Sequence, residues 1–143
     1  MTIEKAKTEM LIEKARHAAG NAYAPYSKFI VGAALLCADG EVFEGCNIEN
    51  ASYGLTICAE QSAICAAVSQ GRRDFIAIAV LSPSEDDIIT PCGNCRQVLA
   101  EFNDDIQVIC ANQKGDYKIL PLSELLPFSF QLPSNPKARA NNP

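Results

Sequence analysis

Cys58, Cys92 and Cys95 are the residues of this chain with the clearest capacity for chemistry. Cys92 and Cys95 lie at i and i+3, a spacing that puts two side chains on one side of a helix start. Cys58 heads a second predicted helix. Three thiolates gathered from two helix starts can hold one zinc ion and leave its fourth position open, the arrangement of catalytic zinc. The open position takes a water that the metal acidifies. Glu60, two residues after Cys58, offers a carboxylate to move that water's proton. Helix N-termini favour thiolate over thiol, because their partial positive charge and free N–H groups stabilise the anion.

Other chemistries compete for these residues. A lone C-x-x-C also serves as a redox pair. Here Pro91 precedes it and an acidic loop lies upstream, unlike the redox setting among aromatic residues after a first strand. A closed four-cysteine site needs a ligand from Cys37, Cys46, Cys65 or Cys110. Cys37, Cys46 and Cys110 fall in or at the ends of predicted strands and read as small core residues. Cys65 lies two helical turns beyond Cys58, roughly 10 Å along the axis. That is out of reach of an ion bound at about 2.3 Å. The single histidine, His17, sits near a helix C-terminus, where the dipole favours a cation, and reads as structural or solvated. Glu60 discriminates between an enzyme and a non-enzymatic zinc or redox module, because a structural zinc needs no carboxylate beside it. The helix dipole explains an acid in a first turn but not its placement beside a metal.

The elements that must position these residues follow from the chain in order. Residues 3–19 read as an amphipathic helix with Ile3, Ala6, Met10, Leu11, Ala15 and Ala18 on one stripe. Residues 29–37 are continuously apolar, as in a strand buried on both faces. Gly32 and two alanines within it mark a close approach to the backbone. Asp39-Gly40 signals a hairpin into a return strand over 41–46. Residues 47–55 have neither period and are rich in short polar groups. Thr56 is a plausible N-cap for a helix to about residue 70. A strand over 76–81, an acidic loop over 82–90, a helix over 92–102, and strands over 106–110 and 117–120 follow. A short helical turn at 123–126 ends at Pro127. This order predicts an α/β domain over residues 1–131, with a mixed five-stranded sheet and helices on its faces. Residues 132–143, rich in Pro and Asn, are expected to be a disordered tail.

Composition narrows the classes. With 48% hydrophobic and 20% charged residues, the 143-residue chain matches one ordinary globular domain. A net charge of −5 with no basic stripe argues against a nucleic-acid partner. No apolar run reaches membrane-spanning length, and residues 1–20 are charged throughout, so no signal peptide, membrane anchor or membrane partner is expected. A cytoplasmic location follows, where thiols stay reduced.

C-A-E at residues 58–60 and P-C-G-x-C at residues 91–95 together resemble the established signature of zinc-dependent deaminases. The likeness extends to Phe29-Ile30-Val31-Gly32-Ala33-Ala34 and to Cys46-Asn47-Ile48-Glu49-Asn50-Ala51-Ser52-Tyr53-Gly54. Cys95-Arg96-Gln97-Val98-Leu99 and Glu124-Leu125-Leu126-Pro127 add to it. The combination looks like the small homotetrameric cytidine deaminases over nearly the whole predicted domain. That resemblance implies a three-layer α/β/α fold and one Zn²⁺ per subunit on Cys58, Cys92 and Cys95. It implies hydrolysis of cytidine and 2′-deoxycytidine to uridine, 2′-deoxyuridine and ammonia, a step of pyrimidine salvage. Zinc hydroxide would attack C4, while Glu60 would shuttle protons from the water to N3 and to the departing ammonia. Asn47 and Glu49 would hold the ribose hydroxyls, Phe29 would pack on the base, and the backbone at Ala59 would hold the base edge. Ala51, Tyr53 and Phe130 would reach a neighbouring subunit's site.

Relatives that act on polynucleotides, tRNA or nucleotides usually carry His where this chain has Cys58, so the resemblance favours a free nucleoside. Blasticidin-type deaminases share the zinc signature, but the Phe29 strand and the 47–53 loop resemble the cytidine enzymes more. One departure stands out. The family commonly has Arg after the glutamate, and this chain has Gln61. Arg would support the thiolates with charge, Gln only with a dipole. Helix-start N–H groups are then expected to carry more of that support, with Gln61 either assisting behind the sulfurs or pointing away.

Overall fold

The computed structural model describes residues 3–135. The central strands carry apolar side chains on both faces, so helices must cover both. In β1 (Gly32–Cys37) every residue is buried: Ala33, Leu35 and Cys37 face one way, Ala34 and Leu36 the other. The strands β2 (Val42–Cys46), β3 (Phe75–Leu81), β4 (Gln107–Ala111) and β5 (Tyr117–Pro121) complete one sheet in the order β2-β1-β3-β4-β5. It is mixed: β3 and β4 run parallel and every other neighbouring pair is antiparallel.

Helix α1 (Lys5–Ala19) covers one face, packing Leu11, Ile12 and Ala15 on Ala34, Leu36, Ala77, Ala79 and Leu81. Its buried stripe includes Thr8, Ile12 and Ala19, whereas Ala6 is exposed and Met10 half-buried, a rotation from the expected stripe. Helices α2 (Ala59–Ser69) and α3 (Gly93–Phe102) cover the other face with the short α4 (Leu122–Leu125), around Ile64, Phe75, Ile78, Leu99, Val108 and Leu122. This is the three-layer α/β/α arrangement that the sequence predicted.

Two glycines set how closely the helices sit. A Cβ at Gly32 would fall 1.9 Å from the carbonyl oxygen of Ala15 in α1. A Cβ at Gly45 would fall 2.4 Å from the amide nitrogen of Ala63 and 2.5 Å from the carbonyl oxygen of Ala59, both in α2. Close backbone approach is therefore what these positions require.

Two expectations need correction. The first strand begins at Gly32, not at residue 29, because Phe29 and Val31 bond to the Asn47 side chain rather than to a neighbouring strand. Phe29 and Ile30 are accordingly exposed at the surface. The helix after the polar loop starts at Ala59 with Cys58, not Thr56, at its N-cap. Thr56 instead closes a 3-10 turn over Tyr53–Leu55, and mutual Ile48–Ile57 backbone bonds hold residue 57 extended. In the segment expected to be a disordered tail, residues 132–135 form a turn: the Asn135 amide donates to the Leu132 carbonyl at 2.9 Å and its side chain to Glu101 at 3.0 Å. The rest of that segment lies outside the described residues.

Candidate active site

The metal-binding candidates are placed by helix starts. Cys58 is the N-cap of α2 and Cys92 the N-cap of α3, both with extended backbone, while Cys95 lies in the first turn of α3. The sulfurs of Cys58, Cys92 and Cys95 all lie within 4.8 Å of one another. Those of Cys92 and Cys95 are 3.7 Å apart. A tetrahedral ion about 2.3 Å from each sulfur requires sulfurs about 3.8 Å apart, so this pair already has the spacing zinc needs. All seven cysteines are free thiols. Cys37 and Cys110 are buried in the core, Cys46 is half-buried and Cys65 exposed; none of them joins the trio. Among the described residues, the trio is the group that fits the metal.

Electrostatics mark the same place. The hydrogen bond from Cys95 pulls the Cys58 thiol down to about 7. The same bond, and then burial, push Cys95 upward. Cys58 also sits at a helix start, which stabilises a thiolate. Glu60 is 4% exposed, and that burial raises its carboxyl above the ordinary range, against its own backbone amide and Cys95, which lower it. A carboxyl so placed, with its proton held more tightly than usual, is suited to proton exchange beside a metal. Burial lifts Cys110, behind this site, to about 11 and leaves it inert. His17 is remote from this cluster and pairs with Glu44, Nδ1 to Oε1 2.7 Å.

A cavity of about 230 Å³ opens in front of the trio. Phe29, Val31, Asn47, Ala59, Glu60 and Val80 line it with Cys58 and Cys92, and Ile89, Thr90 and Pro91 close one side. The Asn47 amide shapes its wall: Nδ2 donates to the Phe29 carbonyl at 2.7 Å and Oδ1 accepts from the Val31 amide at 2.9 Å. The Ile48–Ile57 pairing then brings Asn47 alongside Cys58.

A second pocket of about 320 Å³, lined by Tyr26, Ser27, Glu49, Asn50 and Tyr53, shares Thr56 with the first. Glu49 accepts from the amides of Tyr26 (2.9 Å) and Ser27 (3.1 Å) and from the Ser27 hydroxyl. The Ser27 hydroxyl and these amides hold its carboxyl below the usual range. An apolar chamber beside a metal trio thus adjoins a chamber with a carboxylate acceptor, which suits a flat base carrying a hydroxylated sugar.

Of the remaining candidates, none lines the chamber in front of the trio, and Tyr53 lines only the second one. Ala51 is exposed and Tyr53 is 77% exposed at the loop rim, Tyr53 edge-on to Tyr26 at 6.3 Å. Phe130 is 69% exposed, and its carbonyl accepts from Gln97 Nε2 at 3.0 Å. Gln61 is half-buried beyond Glu60 and forms no side-chain hydrogen bond among the described residues.

Sequence reasoning missed several residues. Arg96 clamps the metal segment, donating from Nε to the Pro91 carbonyl (2.7 Å), from Nη1 to the Leu125 carbonyl (2.6 Å) and from Nη2 to Thr90 Oγ1 (2.8 Å). Ile89 and Thr90 wall the cavity although their loop read only as polar and acidic. Ser82 also lines it. Its signal was position: it follows a central strand, where α/β sheets place ligands.

Comparison with known proteins shows the family. Residues 5–111 match the family described as the cytidine and deoxycytidylate deaminase zinc-binding region. The chain is 53% identical to a cytidine deaminase of Halalkalibacterium halodurans over 85% of this chain and 92% of that one. It is 50% identical to a cytidine deaminase of Sporosarcina psychrophila over 85% and 90%. The crystal structure of cytidine deaminase from Burkholderia pseudomallei superposes with a TM-score of 0.83 at 46% identity, covering 90% of this chain and all of that one. A blasticidin-S deaminase of Bacillus cereus is 33% identical over 73% of this chain and 79% of its own. The chain belongs to the cytidine and deoxycytidylate deaminase family.

Proposed function

From that membership we propose that the protein hydrolyses cytidine and 2′-deoxycytidine to uridine and 2′-deoxyuridine with release of ammonia. One observation carries the proposal: a buried carboxyl, Glu60, stands beside three metal-spaced thiols on the wall of a base-sized cavity. Cys58, Cys92 and Cys95 would hold one Zn²⁺ per subunit, which when bound supplies Lewis acidity that lowers the pKa of water. The chain's own residues do the rest. Glu60 accepts a proton from the attacking water and delivers it to ring N3 as C4 becomes tetrahedral. It then carries a proton to the departing amine, so that one water is consumed and one ammonia leaves. Burial keeps the carboxyl's proton affinity high enough for both transfers.

Binding falls to the surrounding loop. Phe29 packs on the base, the Ala59 backbone holds its edge, and Asn47 and Glu49 receive the ribose hydroxyls. The Glu49 carboxylate is suited to this because its hydrogen-bond donors keep it ionised. Gln61 contributes little to the sulfurs, and the helix starts at Cys58 and Cys92 support them through their dipoles, without side-chain cap hydrogen bonds. Ala51, Tyr53 and Phe130 complete a neighbouring subunit's site in a homotetramer. Exposed Tyr53, Leu55, Phe128 and Phe130 support this, as large apolar groups at the rim favour burial against a partner. The role is pyrimidine salvage in the cytoplasm, with no nucleic-acid or membrane partner; among the described residues no helix is long and apolar enough to cross a membrane.

The test is loss of the cytidine absorbance band on adding protein, with its persistence for Glu60→Gln that still holds zinc. Zinc-loaded wild type that converts no cytosine nucleoside would overturn the proposal. Turnover of cytidine, cytosine, dCMP and blasticidin S side by side sets the substrate. Light scattering checks the assembly, with four times the 15.4 kDa chain expected.

A further inference from the structure

Ser82 follows β3 directly and is 3% exposed. Its backbone is committed on both sides: its amide donates to the Ala111 carbonyl at 3.1 Å, and its carbonyl accepts from Gln113 Nε2 at 2.9 Å. Gln113 is itself held, its Oε1 accepting from Arg16 Nη1 at 3.1 Å and its amide donating to the Ser84 carbonyl at 2.9 Å. The Ser82 hydroxyl, by contrast, is buried and has no partner among the described residues. Strand alternation sends residues 78, 80 and 82 to the same side of the sheet, toward α2 and α3. Ile78 and Val80 are in that core, and Val80 and Ser82 both line the cavity in front of Cys58 and Cys92.

Buried polar groups in folded proteins are nearly always partnered, so one left over in a cavity wall is an opening for a ligand. Among the other polar side chains of the wall, Asn47 is bonded to Phe29 and Val31 and is assigned to the ribose, the Thr90 hydroxyl accepts from Arg96, and Thr56 is exposed rather than buried. Glu60 and the cysteines serve proton transfer and the metal.

We infer that Ser82 is a further substrate-positioning residue, its hydroxyl hydrogen-bonding a polar atom on the edge of the bound pyrimidine. The inference rests on the deaminase function proposed above. A hydroxyl both donates and accepts, so it suits a ring carbonyl or an exocyclic amine. The tether through Gln113 fixes the strand end, so the hydroxyl is aimed before substrate arrives. Released ammonia would satisfy the same hydroxyl, and the experiment separates the two ligands.

Ser82→Ala is compared with wild type for kcat and KM on cytidine, Ki for uridine, zinc content and Tm. Expected is a rise of about tenfold in both KM and Ki, the worth of one hydrogen bond, with zinc and Tm retained. A purely structural hydroxyl would move Tm instead, and a lowered Tm with unchanged KM and Ki overturns the inference. So does a fall in kcat alone, which would give the hydroxyl to ammonia. Unchanged values throughout overturn it as well. The wild-type arm reports separately on the underlying activity: absent turnover there removes the deaminase proposal itself.

Discussion

The side-chain amide of Asn47 donates to the carbonyl of Phe29 at 2.7 Å, while its oxygen accepts from Val31 at 2.9 Å. One side chain thus does for residues 29–31 what a neighbouring strand does for Gly32–Cys37. It turns Phe29 from a core strand residue into a cavity wall. Asn47→Ala leaves two backbone groups without these partners and is expected to cost about 2 kcal/mol in urea unfolding. KM for cytidine should rise as well, because Phe29 loses its seat.

Glu60→Gln keeps the shape of the buried side chain and removes its proton exchange. The expected outcome is a fall in kcat of at least about a hundredfold, with zinc content unchanged by metal analysis. Burial already disfavours the ionised form, so Tm should hold or rise.

Cys95→Ser removes the fully buried member of the trio. Zinc content should fall toward zero and turnover with it. For wild type, zinc at about a thousand times its Kd is expected to stabilise the fold by about 4 kcal/mol, lost on adding chelator. A Cys65→Ser control, at an exposed cysteine outside the trio, should change neither.

Gly45 lets α2 rest directly on β2. Gly45→Ala drives a methyl against the backbone of Ala59 and Ala63 and is expected to cost about 3 kcal/mol. Because α2 presents Cys58 and Glu60 at its start, zinc affinity should fall too. Gly54→Ala, where a Cβ meets nothing within 4 Å, serves as the stability control.

The Glu49 carboxyl is held below its ordinary value by the Ser27 hydroxyl and by the Ser27 and Tyr26 amides. A depressed folded pKa contributes stability above the unfolded value and loses it as pH falls through the folded one. The Glu49 carboxyl should therefore remain ionised where an unperturbed glutamate, near about 4.3, is half protonated. Ser27→Ala should shift the Glu49 titration upward, read from its side-chain carbon resonance.

Much of this fold was legible because the strands write burial on both faces, as Ala33 through Cys37 do. Gly32 signalled the close approach that α1 makes. The boundaries were less legible. Thr56 has the chemistry of an N-cap, yet the Ile48–Ile57 pairing holds the chain extended to Cys58. Local propensity cannot include a bond to a residue nine positions away.

The sequence by itself singled out the three cysteines as candidate metal ligands, the acid beside them, and a mixed sheet with helices on its faces. Those depend on residue type, short spacing and hydrophobic period, all local quantities. Only the tertiary structure decided that Cys58, at the N-cap of α2, meets two sulfurs from α3, that Asn47 builds the wall behind Phe29, and that Arg96 locks Pro91 to Leu125. It alone left the Ser82 hydroxyl buried without a partner among the described residues. These are contacts between segments far apart in the chain, and they exist only once both faces of the sheet are covered.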